Sequence, residues 1–272
     1  MTQPVRLLVS DVDGTLVDKQ KRLSPATVAA VARLKTAGVG FTIISARPRS
    51  GLLPLIDALA IDAPVAGFNG GLIFRQDGRV DARHLLPREV AHGMLALAAS
   101  APVQLWVFAG DQWYASTGDG YRAERERVAA NQEPVVRADF ADLADRADKI
   151  TLVSDDAPLL ADLLARARAA WGDCATVGQS QPYFLDVTAR EANKGDGVAA
   201  LAAAIGVPLA ETGAIGDQQN DLAMLECVGL PIAMGNAPDA VKAAARHVTN
   251  SNEAGGVAGA IDRLLLSELE HA

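Results

Sequence analysis

The chain has 272 residues, 50% of them hydrophobic and 21% charged, with a net charge of −8. That is a globular profile with room for one large domain or two ordinary ones, and its acidic balance argues against nucleic acid or an anionic membrane surface as a partner. Cys174 and Cys227 stand far apart with no Cys/His cluster around them and read as ordinary free thiols. No signal peptide is visible, and no apolar stretch reaches the ~18 residues of a membrane span, so the expected location is cytoplasmic.

The apolar run at 5–10 predicts a buried strand. Ser24 and Pro25 mark a helix start, with the helix running to about residue 35 and stopping near Gly38. Residues 39–45, Val-Gly-Phe-Thr-Ile-Ile-Ser, predict a second buried strand; a short helix over 50–59 and a strand over 64–68 follow. Strands this apolar, with helices between them, argue for a parallel sheet covered on both faces. From about 85 to 181 the pattern changes. Residues 104–108 and 113–116 flank Gly110-Asp111 and predict a hairpin. Strands are expected over 150–153, 175–177 and 183–187, and an amphipathic helix over 158–171. All tryptophans and tyrosines fall between Trp106 and Tyr183, which marks an inserted α+β domain. The strand–helix rhythm then resumes: helix 195–205, strand 212–215, helix 221–227, strand 230–233, and helices 238–245 and 255–266. The expected class is α/β, a parallel sheet split by the insertion.

Ligands of open α/β sheets bind beyond the carboxyl ends of the strands, so polar residues there matter most. The first strand ends in Asp11-Val12-Asp13-Gly14-Thr15. Carboxylates two residues apart point the same way while the chain is extended, and they repel unless a cation or a shared proton lies between them. The pair predicts a metal, a division of labour between attack and proton transfer, or both. Alone it also fits a solvated turn. A calcium loop does not fit, because Thr15 takes the third acidic position and Arg22 the twelfth. The second strand ends in Ser45-Ala46-Arg47, Asn193-Lys194-Gly195 opens a helix, and Gly216-Asp217-Gln218-Gln219-Asn220-Asp221 closes another strand. Each is weak alone, since such a Ser is commonly a cap and such a Lys commonly solvated. Four in order, each at a strand exit or helix entry, are far more specific.

With these motifs, and Asn-Gly-Gly-Leu-Ile at 69–73, the chain resembles a haloacid dehalogenase (HAD) superfamily phosphatase of the Cof-like subgroup, with a class IIB α/β cap. The resemblance spans essentially the whole chain. It implies a Rossmann-like HAD core at 1–84 and 190–272 and an inserted α+β cap at 85–189. It implies Asp11 as the nucleophile that forms an aspartyl-phosphate, and Asp13 as general acid and then base. Mg²⁺ would be held by Asp11, the Asp13 carbonyl and Asp217. Phosphoryl oxygens would be held by Ser45, the amides of Val12 and Ala46, Lys194 and Asn220, with Asp221 behind them orienting Lys194 or a metal-bound water. Arg47 belongs with this phosphate- and substrate-binding set, and Arg47 and Arg122 are candidates to contact an acidic or phosphorylated leaving group, unless Arg122 merely lies on a solvated helix.

The chain departs from the family pattern twice. Ser45-Ala46-Arg47 replaces the commoner Thr-Gly-Arg but retains a hydroxyl and an amide. Gln218 stands where a small residue is frequent, and either protrudes toward the leaving group or faces solvent. The cap would choose the substrate, with Trp113, Tyr114, Gln181 and Tyr183 either contacting it or forming cap core. The expected activity is a Mg²⁺-dependent phosphomonoesterase acting on a small phosphorylated metabolite such as a sugar phosphate, as a monomer or homodimer. A phosphomutase with the same core and a non-catalytic phosphate-binding module are the alternatives.

Overall fold

Leu7, Leu8 and Val9 are fully buried, as a strand covered on both faces requires. They belong to β1 (Leu7–Ser10) of a computed structural model that describes residues 4–266. α1 (Pro25–Thr36) starts where Ser24 accepts the Thr27 amide and Pro25 occupies the first turn. It leads to β2 (Gly40–Ile43), parallel to β1. α2 (Arg49–Ala58) and β3 (Val65–Gly67) follow. β3 then opens a small sheet with β4 (Leu72–Phe74) and β5 (Val80–Arg83), in the order β3-β4-β5. The sequence reading did not anticipate β4 and β5.

The inserted part contains α3 (Arg88–Ala99), β6 (Gln104–Ala109), β7 (Gln112–Ala115), α4 (Tyr121–Ala130), β8 (Val135–Val136), β9 (Ala147–Val153), α5 (Ala157–Trp171), β10 (Ala175–Gln181) and β11 (Phe184–Ala189). Its sheet runs β10-β11-β9-β6-β7-β8 and is antiparallel except at the β7–β8 edge. The strands alternate. Leu105, Val107, Ile150, Leu152, Leu185 and Val187 form one buried cluster with Val90, Met94 and Leu97 of α3 and Leu160 and Leu163 of α5. Trp106 and Trp113 are buried outside that cluster, edge to face at 5.1 Å between ring centroids.

The chain returns through α6 (Lys194–Ile205), β12 (Thr212–Gly216), α7 (Leu222–Cys227), β13 (Leu230–Ala233), α8 (Asp239–Ala244), β14 (His247–Val248) and α9 (Gly256–Ala260). The helix expected over 255–266 is α-helical only to Ala260 and continues as a wider π-type winding over Ile261–Leu266. The main sheet is β14-β13-β12-β1-β2, parallel throughout, and the bridge from Ile44 to Ala66 is also parallel.

The chain forms two compact units. One contains the residues up to Ser45, Leu53–Asp81 and those from Asn193 onward; the other contains Ala46–Leu52 and Ala82–Ala192. The short Ala46–Leu52 segment groups with the insertion, whereas the sequence boundaries put it in the core. Ser50 and Gly51 pack on the end of α4, and this draws the segment there. No described helix is long and apolar enough to cross a membrane.

Candidate active site

β1 and β12 lie side by side, and the Asp11 amide donates to the Ile215 carbonyl at 2.9 Å. The loops that leave the two strands therefore bring Asp11 and Asp217 into one place. Lys194 opens α6, where Asn193 caps the helix by accepting the Asp196 amide at 3.0 Å. Lys194 Nζ donates to Asp11 Oδ1 and to Asp221 Oδ1, each at 2.5 Å, and all three residues are buried. The other oxygen of Asp221 accepts the amides of Asp217 and Gln218, both at 2.8 Å.

Asp217 is held as firmly. Its Oδ1 accepts the Thr15 hydroxyl at 3.1 Å; its Oδ2 accepts Gln218 Nε2 at 3.1 Å and Asn236 Nδ2 at 3.2 Å. Gly14, at φ +87°, lies against this carboxylate. A Cβ there would stand 2.4 Å from Asp217 Oδ2, so both the turn and the approach need glycine.

Asp11 and Asp221 thus share the Lys194 ammonium, and the buried Asp217 carboxylate lies beside them. Burial pushes Asp11 up to about 8, against the pull of Lys194 and with the charges of Asp221 and Asp217 adding to it. Burial and then Asp221 push Asp217 up to about 6, while Gln218, Lys194 and Thr15 hold it back. Burial works to lower Lys194, but Asp11 and Asp221 outweigh it and keep the ammonium protonated. One oxygen from each of Asp11, Asp217 and Asp221 lies within 4.8 Å of the others. An all-oxygen donor set with surplus negative charge fits a hard divalent cation.

The remaining candidates fall as follows. Ser45 is buried, its amide on the Ala66 carbonyl at 3.0 Å and its carbonyl accepting the Asn69 amide at 2.7 Å. Val12 is buried in the turn, its carbonyl accepting the Leu16 amide at 2.9 Å. Asn220 is exposed and reaches Asn69 Oδ1 at 3.4 Å. Asp13 pairs with Lys21 Nζ at 2.5 Å, and its side chain is not part of the three-carboxylate group. Ala46 and Arg47 belong to the second unit, where the buried Arg47 donates to the Gly51 carbonyl at 3.3 Å. Gln218 is exposed, yet its amide turns onto Asp217.

Within the insertion, the Arg122 guanidinium sits 3.4 Å from the Tyr183 ring centroid and pairs with Asp155 at 2.8 Å. Gln181 accepts the Tyr183 hydroxyl at 3.5 Å, Tyr114 packs against the buried cluster, and Trp113 is fully enclosed. Sequence reasoning missed Thr15, Lys21 and Asn236. Asn236 also donates to the Gly14 carbonyl at 2.9 Å and accepts the Asn252 amide at 3.0 Å. It leaves β13 at a strand exit, so the rule that selected Asp11 and Asp217 could have found it.

The family model for haloacid dehalogenase-like hydrolases matches residues 8–261. The pyridoxal phosphate phosphatase of Escherichia coli is 27% identical over 93% of this chain and 96% of that protein. The 5-amino-6-(5-phospho-D-ribitylamino)uracil phosphatase of Bacillus subtilis is 27% identical over 96% of this chain and 98% of that protein. A solved haloacid dehalogenase-like hydrolase from Bacteroides thetaiotaomicron has a TM-score of 0.87 at 28% identity, covering 96% of this chain and 99% of its own. The chain belongs to the haloacid dehalogenase-like hydrolase family, as a phosphatase of its Cof-like branch.

Proposed function

We propose that the protein is a Mg²⁺-dependent phosphomonoesterase that passes the phosphoryl group of a small phosphorylated metabolite, of the sugar-phosphate kind, to Asp11 and then to water. The observation that carries this reading is the buried Asp11 carboxylate in contact with Lys194 and beside Asp217, at the ends of adjacent parallel strands. An Asp11 oxygen bonds to phosphorus as the ester P–O bond breaks, and Asp13 protonates the departing oxygen. Asp13 then takes a proton from water as that water attacks the aspartyl-phosphate, which frees Asp11 and inorganic phosphate. Lys194, the Ser45 hydroxyl, the amides of Val12 and Ala46, Arg47 and Asn220 hold the phosphoryl oxygens. Asp11, the Asp13 carbonyl and Asp217 would hold Mg²⁺, which would supply positive charge that offsets repulsion between nucleophile and phosphate. Asp221 keeps Lys194 and the Asp217 loop in place.

Both relatives named above are phosphatases of small phosphorylated molecules, which supports that substrate class. Phosphate release from a panel of phosphorylated metabolites, with Mg²⁺ and with chelator, tests the reading. Release should need Mg²⁺ and fall to background in Asp11→Asn, with an unchanged circular dichroism spectrum. Mg²⁺-dependent turnover in that variant, or release indifferent to chelator, overturns it.

A further inference from the structure

The chain passes from one compact unit to the other between Ser45 and Ala46, inside the Ser-Ala-Arg motif. Just beyond it, the first turn of α2 is fastened to the end of α4 and to β7. Pro54 has no amide hydrogen, so the Ser50 carbonyl, four residues earlier, loses its helical donor. Asn131 Nδ2 donates to that carbonyl instead, at 3.3 Å. The Ser50 hydroxyl donates at 2.5 Å to the carbonyl of Ala130, the last residue of α4, whose helix cannot supply a partner. Gln132 Nε2 donates to Ser50 Oγ at 2.7 Å, and its Oε1 accepts the Trp113 amide of β7 at 2.8 Å. Gly51 makes the approach possible, since a Cβ there would stand 2.0 Å from the Ala129 carbonyl oxygen. Arg49 adds an ion contact to Asp111 at 3.7 Å.

We propose that Asn131 and Gln132 are positioning residues for phosphate recognition: through Ser50 and Gly51 they hold the Ala46–Arg47 turn where it receives phosphoryl oxygens. This rests on the phosphate-binding role given above to Ala46 and Arg47. Arg47 donates to the Gly51 carbonyl at 3.3 Å, so the latch reaches the turn through Gly51. Its loss should therefore weaken every phosphate ester, and inorganic phosphate itself, by a common factor.

Two substitutions open the latch without disturbing a core. Asn131 has φ +50°, so Asn131→Gly removes the amide and leaves the backbone unstrained. Gln132→Ala removes a half-buried side chain at the insertion's surface. The measurement is the inhibition constant of inorganic phosphate, together with KM and kcat for p-nitrophenyl phosphate and for the best metabolite. Each lost hydrogen bond should raise the phosphate inhibition constant and both KM values together, by about fivefold. Leu163→Ala, in the buried cluster of the insertion, should lower Tm without moving the inhibition constant, which separates positioning from general destabilisation. An unmoved inhibition constant in the Asn131→Gly, Gln132→Ala double variant overturns the proposal, as does a KM that rises for the metabolite alone. If Asp11→Asn is inactive and the inhibition constant is unmoved, the latch alone fails. If Asp11→Asn stays active, the catalytic assignment fails.

Discussion

Asp217 accepts from the side chains of Thr15, Gln218 and Asn236, and Asn236 also donates to the Gly14 carbonyl of the Asp11 loop. Asn236→Ala should leave Asp217 present but loosely aimed. Removing such support typically weakens metal affinity by about 10–100-fold. A Mg²⁺ titration of activity should therefore shift to higher concentration with kcat largely recovered at saturation; an unmoved midpoint would leave Asn236 with no role at the metal. That Asp11, Lys194 and Asp217 come together was legible in the sequence because charged groups at strand exits and helix entries are hard to explain without chemistry. Thr15 was not, since a hydroxyl in a turn is what turns ordinarily contain; Asn236 stands at a strand exit but is an uncharged amide, so the search for charged groups passed over it. Asp221 was legible as a supporting group, but its simultaneous hold on Lys194 and two amides needed the fold.

At the scale of elements, the cap of α6 governs where Lys194 points. Asn193→Ala should cost about 1 kcal/mol of stability and lower kcat as Lys194 loses its setting, while Asn193→Ser should retain both. A kcat unchanged in Asn193→Ala, alongside the lowered Tm, would detach the cap from catalysis. β1, β2, β12 and β13 were readable because each is a short buried run. α3 and α4 were not, because neither has a side-chain cap hydrogen bond, and Tyr-Arg-Ala-Glu-Arg-Glu-Arg in α4 has no apolar stripe. β4 has only Leu72–Phe74, too few residues for alternation to register. Pro54 should break α2, yet the helix continues over it because Asn131 serves the carbonyl that proline leaves without a donor. That compensation is a contact between distant parts of the chain and could not be read locally.

Over the whole molecule, the buried carboxylates couple metal, pH and stability. Burial, with the neighbouring carboxylates adding to it, pushes Asp11 up to about 8 and Asp217 up to about 6, above their ordinary 3.8. In the metal-free chain this contribution to stability is full below about pH 4 and is lost as pH rises through about 6 and then about 8. A divalent cation needs both groups ionised, so its affinity, and the rise in Tm it brings, should grow across the same window. The Tm gain from saturating Mg²⁺ should be small at pH 5 and large at pH 8; equal gains would contradict a metal held by these two carboxylates. Acid quenching during turnover, followed by peptide mass mapping, tests most directly whether Asp11 carries the phosphoryl group. A phosphoryl mass on the peptide holding Asp11, absent from Asp11→Asn, is the expected result. A phosphoryl group trapped on another residue, or turnover that persists in Asp11→Asn, would contradict it.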